Sequence, residues 1–450
     1  MRWVAVLAVL FAVVVSDPAL ARAIDPPVVA PGPPPSGAGG PPETTEQKSP
    51  CGTATVLPGT DFQIRPSADT MLDYSSAWQF SRGAGQKVAV IDTGVSRHPR
   101  LPALQAGGDF VSNSDGLVDC DAHGTLVAGI IAASPAPGDS FAGVAPDATI
   151  LSIRQNSSVY ATRGSNSQQE DPNAVAAGYG STHTLASAIV RAVDMGATVI
   201  NLSEVACAPV EAGMDDADVG RAVRYAFERN VVVVAAAGNY SEQGLCRAQN
   251  DVTDPNRPLT AGWRSVRTIA SPPWFSDYLL SVASLAPSGQ PSDFSLRGPW
   301  IGVAAPGERI TSLDPQGPGL INAWLDPQKG PVPINGTSFA TPYVSGVVAL
   351  IRSRFPDLTA AQVIDLVKRT AHTPEAGPNS ATGHGMVDPV AALTSSLPPA
   401  RDVPDPTAGH PISGPPQSRT DDRAITIVLT VLGVCVVAAV IAVTVLKDRT

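Results

Sequence analysis

The sequence predicts an α/β domain on a mostly parallel β-sheet with helices on both faces, plus one C-terminal transmembrane helix. Three observations lead there. Apolar, β-branched runs alternate with segments of helical period between residues 75 and 394. Pro-rich stretches bound that region on both sides. Uncharged apolar runs sit near both ends of the 450-residue chain.

Residues 88–91, 149–153, 198–202 and 231–236 read as strands buried on both faces, being short, continuous and apolar. Residues 185–196 and 219–229 read as helices, the first stopped by Gly196. Residues 338–354 and 359–370 read as two more, the second opened by Thr359 as its cap. Strands joined by helices pair in parallel, and ligands on such sheets bind beyond the carboxyl ends of the strands. Residues 157–180 are rich in Gly, Ser and Gln and read as an inserted loop, either a partner-docking element or a passive surface.

Arg2, the apolar run 4–15 and Ala21-Arg22-Ala23 have the layout of a secretory signal peptide, residues 1–23. Residues 24–74 form an N-terminal extension whose Pro-rich first half cannot bury enough apolar surface to be a domain. Residues 75–394 are the globular domain and 395–423 a Pro-rich linker. Residues 424–446 are uncharged and make about 34 Å of helix, against a hydrocarbon core of about 30 Å. The charges flanking that run balance, so the signal peptide sets the orientation. Everything before Ala424 is expected outside, with 447–450 as a cytoplasmic tail. The expected location is the cell membrane, single-pass, with the globular domain extracytoplasmic.

A formal charge of −10 and the lack of any Lys/Arg run argue against nucleic acid as a partner. No Gly-rich fingerprint follows the first strand, which argues against nucleotide binding. Cys435 falls in the predicted span; Cys51, Cys120, Cys207 and Cys246 lie in an exported region, where disulfides persist. Four cysteines allow three pairings, and the sequence does not choose among them. There is no Cys-x-x-Cys pair and no acidic loop with calcium-ligand spacing, so no metal or cofactor is expected.

Three motifs fall at predicted strand ends or helix starts. Val90-Ile91-Asp92-Thr93-Gly94 delivers a carboxylate on a strand and then turns. His123-Gly124-Thr125-Leu126-Val127-Ala128-Gly129 places a His at the start of a helix of small residues. Gly336-Thr337-Ser338-Phe339-Ala340-Thr341-Pro342 opens a helix on a Ser. Each alone has an ordinary structural explanation. Together they supply what acyl transfer needs: a nucleophile, a base that takes its proton, and a carboxylate that holds the base. A fourth segment, Ala235-Ala236-Ala237-Gly238-Asn239, ends a strand on an amide that can meet an oxyanion. The remaining histidines, His98, His183, His372, His384 and His410, carry no such motif.

These motifs, in the order Asp, His, Asn, Ser, resemble the subtilisin-like protease family over residues 75–394. Gly143-Val144-Ala145-Pro146, Val199-Ile200-Asn201-Leu202-Ser203 and Ala304-Ala305-Pro306-Gly307 extend the likeness. The resemblance implies a subtilisin-like three-layer fold and a serine endopeptidase. In it Asp92 orients, His123 is general base then acid, Ser338 is the nucleophile and Asn239 the oxyanion donor. One departure stands out: the family's substrate-binding strand carries a Gly soon after the Ser, and here Glu204-Val205 follows Ser203.

The layout also resembles the mycosins of type VII secretion systems, through Ile24-Asp25-Pro26-Pro27, Cys51, Asp119-Cys120-Asp121-Ala122-His123 and the single C-terminal span. That likeness implies the disulfides Cys51–Cys120 and Cys207–Cys246. It implies exported proteins as substrates, components of the secretion membrane complex as partners, and membrane attachment through one C-terminal helix. A bridge from Cys51 would make the extension a permanent strap rather than a removable inhibitor. The likeness also implies an alternative role, as a structural component of the complex with proteolysis secondary.

Overall fold

The computed structural model describes residues 24–164, 173–175, 178–251 and 259–396. The predicted signal peptide, most of the linker, the predicted span 424–446 and the middle of the 157–180 insertion lie outside them. Among the described residues no helix is long and apolar enough to cross a membrane.

The core is a seven-stranded sheet: β1 (Lys87–Asp92), β2 (Leu104–Asp109), β3 (Thr149–Arg154), β4 (Val199–Leu202), β5 (Val232–Ala236), β6 (Leu280–Leu285) and β7 (Ile301–Pro306). Their spatial order is β7-β6-β5-β4-β1-β3-β2, and every neighbouring pair is parallel. From β1 the chain goes first to the edge strand β2, returns to β3 beside β1, and then crosses β1 to run outward through β4 to β7. The strand order therefore reverses between β1 and β4, which opens a crevice beyond their carboxyl ends.

Side-chain alternation explains why these strands are apolar throughout. Val88 and Val90 pack on one face with Val199, Val232, Val234 and Val282. Ala89 and Ile91 pack on the other with Ile200, Leu202, Val233 and Ala235. Period-2 geometry sends successive residues to opposite faces, and helices cover both. α1 (His123–Ala132), α4 (Thr337–Arg354) and α5 (Ala360–Thr370) lie on the first face; α2 (Thr182–Asp194) and α3 (Ala217–Glu228) lie on the second.

α2 begins three residues before the sequence expectation, because Ser181 caps it. The Ser181 hydroxyl accepts from the Thr184 amide and the Thr184 hydroxyl accepts from the Ser181 amide. After Met195, Gly196 takes a left-handed turn at φ +79, so the expected stop stands one residue beyond the cap. Thr359 caps α5 in a reciprocal pair with Gln362.

The N-terminal extension lies along this domain. Thr45–Gln47 pairs antiparallel with Tyr160–Thr162 of the insertion. Ala54–Thr55 pairs with Ala323–Asp326, itself half of a hairpin with Gly330–Pro333. Between these strands Cys51 bonds to Cys120, and Cys207 bonds to Cys246 elsewhere in the domain. Closing a loop of 69 residues, as Cys51–Cys120 does, removes about 4 kcal/mol of unfolded-chain entropy.

Candidate active site

Asp92 is the last residue of β1 and is fully buried. Its Oδ1 accepts from the Thr93 amide at 2.7 Å and lies 2.7 Å from His123 Nδ1. A carboxylate there fixes the ring with Nδ1 protonated and Nε2 free. Gly94 then turns at φ +102, where a Cβ would collide with the Val118 carbonyl. This is why the motif needs a Gly two residues after the Asp.

His123 opens α1 behind Ala122, which sits in the left-handed region at φ 68 and offers no capping side chain. Asp119 supplies the missing cap from three residues upstream. Its Oδ2 accepts from the Thr125 amide at 2.8 Å and hydroxyl at 2.6 Å, and its Oδ1 accepts from the Thr93 hydroxyl at 2.8 Å. The Gly124 amide in turn donates to the Thr93 oxygen. Thr93 and Asp119 thus tie the end of β1 to the start of α1 and set the approach of Asp92 to His123. Burial raises the Asp119 carboxyl to about 6.

Ser338 is the second residue of α4 and is nearly buried. A Cβ placed on Gly336 would lie 2.8 Å from Ser338 Oγ and 3.5 Å from Asn239 Nδ2, so the hydroxyl and the amide flank one small space. Asn239 follows β5. Its Oδ1 accepts from the Thr337 amide at 3.0 Å, which turns Nδ2 toward that space as a donor.

Pro342 lies inside α4 and has no N–H for the Ser338 carbonyl four residues earlier. The Ser203 hydroxyl, just beyond β4, donates to that carbonyl at 2.8 Å and accepts from Asn201 Nδ2 at 2.8 Å. Asn201 Oδ1 accepts from the Ser345 hydroxyl. This network pins the end of β4 to the first turns of α4.

The resulting cleft, about 360 Å³, is lined by His123, Glu204, Asn239, Trp324, Ser338 and Phe339, among others. The Phe339 ring is 5.0 Å from the His123 ring. Glu204 Oε1 lies 3.6 Å from His123 Nδ1. Burial disfavours the charged imidazolium, but Asp92, by charge and hydrogen bond, then Glu204 and Asp119, outweigh it and raise the imidazole well above its usual range. Burial also pushes the Glu204 carboxyl up, against the pull of His123 and with Asp92 and Asp121 adding to the rise. Asp92, His123 and Glu204 bring potential metal-ligand atoms within 4.8 Å of one another. Asp92 Oδ1 and His123 Nδ1 are already committed to each other, so the trio reads as a charge network rather than a ligand set.

Asp92, His123, Asn239 and Ser338 therefore converge where the strand order reverses. Residues 83–385 match the family model of peptidase S8, the subtilase family. The chain belongs to the subtilase family. Within it, this subtilase is a mycosin and a serine endopeptidase. It is 46% identical to Mycosin-1 of Mycolicibacterium smegmatis over 398 residues, covering 88% of this chain and 87% of the relative. The crystal structure of MycP1 from Mycobacterium smegmatis superposes with a TM-score of 0.77 at 45% identity, over 83% of this chain and 96% of that one. A chain in the structure of an intact ESX-5 inner membrane complex matches with a TM-score of 0.77 at 40% identity, over 94% of this chain and 99% of that one.

The sequence motifs point to the four cleft residues but not to the groups that hold them. Thr93 and Thr337 stand inside the quoted motifs without an evident task. Asp119 and Ser203 also stand inside quoted segments, but their tasks are not legible there, because their partners are brought close by sheet register and helix docking. Glu204 did carry a signal, as the departure after Ser203.

Proposed function

We propose that this mycosin cleaves exported proteins with Ser338 as nucleophile, His123 as base then acid, Asp92 as orienting carboxylate and Asn239 as oxyanion donor. The observation that carries the reading is the 2.7 Å approach of Asp92 Oδ1 to His123 Nδ1, in a cleft that Ser338 and Asn239 also line. In this scheme Ser338 Oγ attacks the scissile carbonyl while its proton passes to His123 Nε2. The oxyanion forms between Asn239 Nδ2 and the Ser338 amide at the start of α4. His123 then protonates the departing amine, and water repeats the sequence to release the acid.

The same reading places the peptidase domain outside the membrane, held by residues 424–446 after a linker, with residues 24–74 as a permanent strap. Pairing of Thr45–Gln47 and Ala54–Thr55 with the domain on either side of Cys51 supports the strap. The match to a chain of the ESX-5 inner membrane complex, over 94% of this sequence, supports a place among type VII secretion components. It also favours a second reading, in which the chain chiefly stabilises such a complex.

Labelling the purified full-length chain with a fluorophosphonate tests the first reading. The expected result is one adduct, located on Ser338 by mass spectrometry and absent from Ser338→Ala. A folded chain that takes no label would refute it. Secretion that persists with Ser338→Ala but stops when the whole chain is deleted would establish the second role.

A further inference from the structure

Glu204 is not needed by the scheme above, yet its carboxylate reaches into the centre of the site. It follows Ser203 directly beyond β4, and Oε1 lies 3.6 Å from His123 Nδ1. That nitrogen is the one bonded to Asp92, so Glu204 approaches the edge of the ring that carries the retained proton rather than the edge that meets Ser338. Its side chain is 23% exposed, so this charge can be covered or uncovered from the cleft, whereas Asp92 is wholly buried. The groups that bear on the pair come from several elements. Asp92 stands on β1, Asp119 and Asp121 precede α1, His123 opens α1, and Asn156 follows β3. Among the described residues lining the cleft, His123 and Glu204 are the ones that can carry charge.

We propose that Glu204 is a positioning residue for the reaction, whose carboxylate stabilises the His123 imidazolium and so restrains formation of the neutral ring that must accept the Ser338 proton. Asp92 alone satisfies Nδ1–H. A second carboxylate beside the same nitrogen adds charge without adding a needed hydrogen bond. The resting site is thereby biased toward the protonated, inactive ring, and its activity rises only at higher pH than one carboxylate would require. This deepens the assignment of His123 as general base and rests on it.

The test follows the rate of fluorophosphonate labelling against pH, in full-length wild type, Glu204→Gln and Ser338→Ala. Labelling forms the Ser338 Oγ–P bond, expels fluoride and passes the Ser proton to His123. The rate therefore rises with pH as the imidazolium loses its proton. Gln keeps the shape of Glu204 and removes its charge, so His123 loses its proton at lower pH. For unit charges 3.6 Å apart, even with water-like screening, the rising limb moves acid by about one pH unit. On that limb Glu204→Gln labels about tenfold faster than wild type, with a plateau no higher. Loss of packing alone would lower the plateau without moving the limb. If circular dichroism shows Glu204→Gln to be misfolded, Glu204→Ala replaces it with the same expected shift. Coincident limbs, or a limb moved to higher pH, overturn the role of Glu204. No labelling of Ser338 in any form overturns the triad reading instead.

Discussion

The bond from Ser203 to the Ser338 carbonyl exists because Pro342 removes the helical donor, and that dependence can be measured. Ser203→Ala strips two buried groups of a partner, the Ser338 carbonyl and Asn201 Nδ2. Leaving a buried polar group unsatisfied costs about 1–3 kcal/mol; at about 1–2 kcal/mol for each of these two neutral groups, the pair is worth about 2–4 kcal/mol. Pro342→Ala restores an N–H at the position that should bond this carbonyl. In that background Ser203→Ala leaves only Asn201 short, and its cost falls by about 1–2 kcal/mol. The four chains of this double-mutant cycle are best compared on a Ser338→Ala background, which keeps the backbone carbonyl and prevents self-digestion. For a domain of roughly 350 residues the unfolding entropy is about 0.7 kcal/mol/K. Calorimetry should therefore show Ser203→Ala lowering Tm by about 3–6 °C with Pro342 present, and by about 1.5–3 °C less in the Pro342→Ala background. An equal drop in both backgrounds would refute the reasoning, since the carbonyl would not depend on Ser203.

Two further outcomes follow from the geometry. Asn239→Ala removes the donor that Thr337 turns toward Ser338, and should lower kcat on an activated ester by about 10²–10³-fold with little change in KM; a rise in KM at constant kcat would place Asn239 in substrate binding instead. Asp69, in the short helix Ser67–Leu72, is buried with Oδ1 unpartnered, and burial raises its carboxyl from 3.8 to about 7. A carboxyl raised on folding contributes stability below pH 4 that is lost as pH rises through 7. Asp69→Asn should therefore be more stable than its parent above pH 7, by up to about 4 kcal/mol, with the gap in Tm closing toward pH 4. A gap independent of pH would mean that Asp69 stays ionised throughout.

How much of the molecule was legible in the sequence depended on how local the cause was. β1, β3, β4 and β5 could be read because burial on both faces makes a strand continuously apolar, and these four are the central strands. β2 could not: Leu-Gln-Ala-Gly-Gly-Asp has two glycines and exposed positions, being an edge strand held by its pairing with β3. β6 and β7 escaped for a related reason, being rich in Ser, Ala and Gly and buried through packing rather than by side-chain bulk. The cap on Thr359 was readable because capping acts within one turn. The cap on α1 was not, because Ala122 cannot provide it and Asp119 does so from outside the usual spacing.

The cleft follows the same rule. Asp92, His123, Asn239 and Ser338 stand in short motifs whose geometry is local, a strand end or a helix start, and a parallel sheet gathers such ends on one side. Thr93–Asp119–Thr125 and Asn201–Ser203–Ser338 join elements distant in sequence, so no spacing betrays them. Glu204 lies between the two cases. Its contact with His123 is non-local and invisible, but Glu204-Val205 after Ser203 departs from the family's pattern of a Gly soon after the Ser, and that is a local anomaly. With the departure comes a carboxylate whose Oε1 lies 3.6 Å from His123 Nδ1. Asp92 already meets Nδ1, so this second carboxylate adds charge without supplying a hydrogen bond that the ring lacks. That makes the departure from the pattern better evidence of a task at position 204 than the fit to the pattern is at the other cleft positions, where catalysis and ordinary capping would select the same residues.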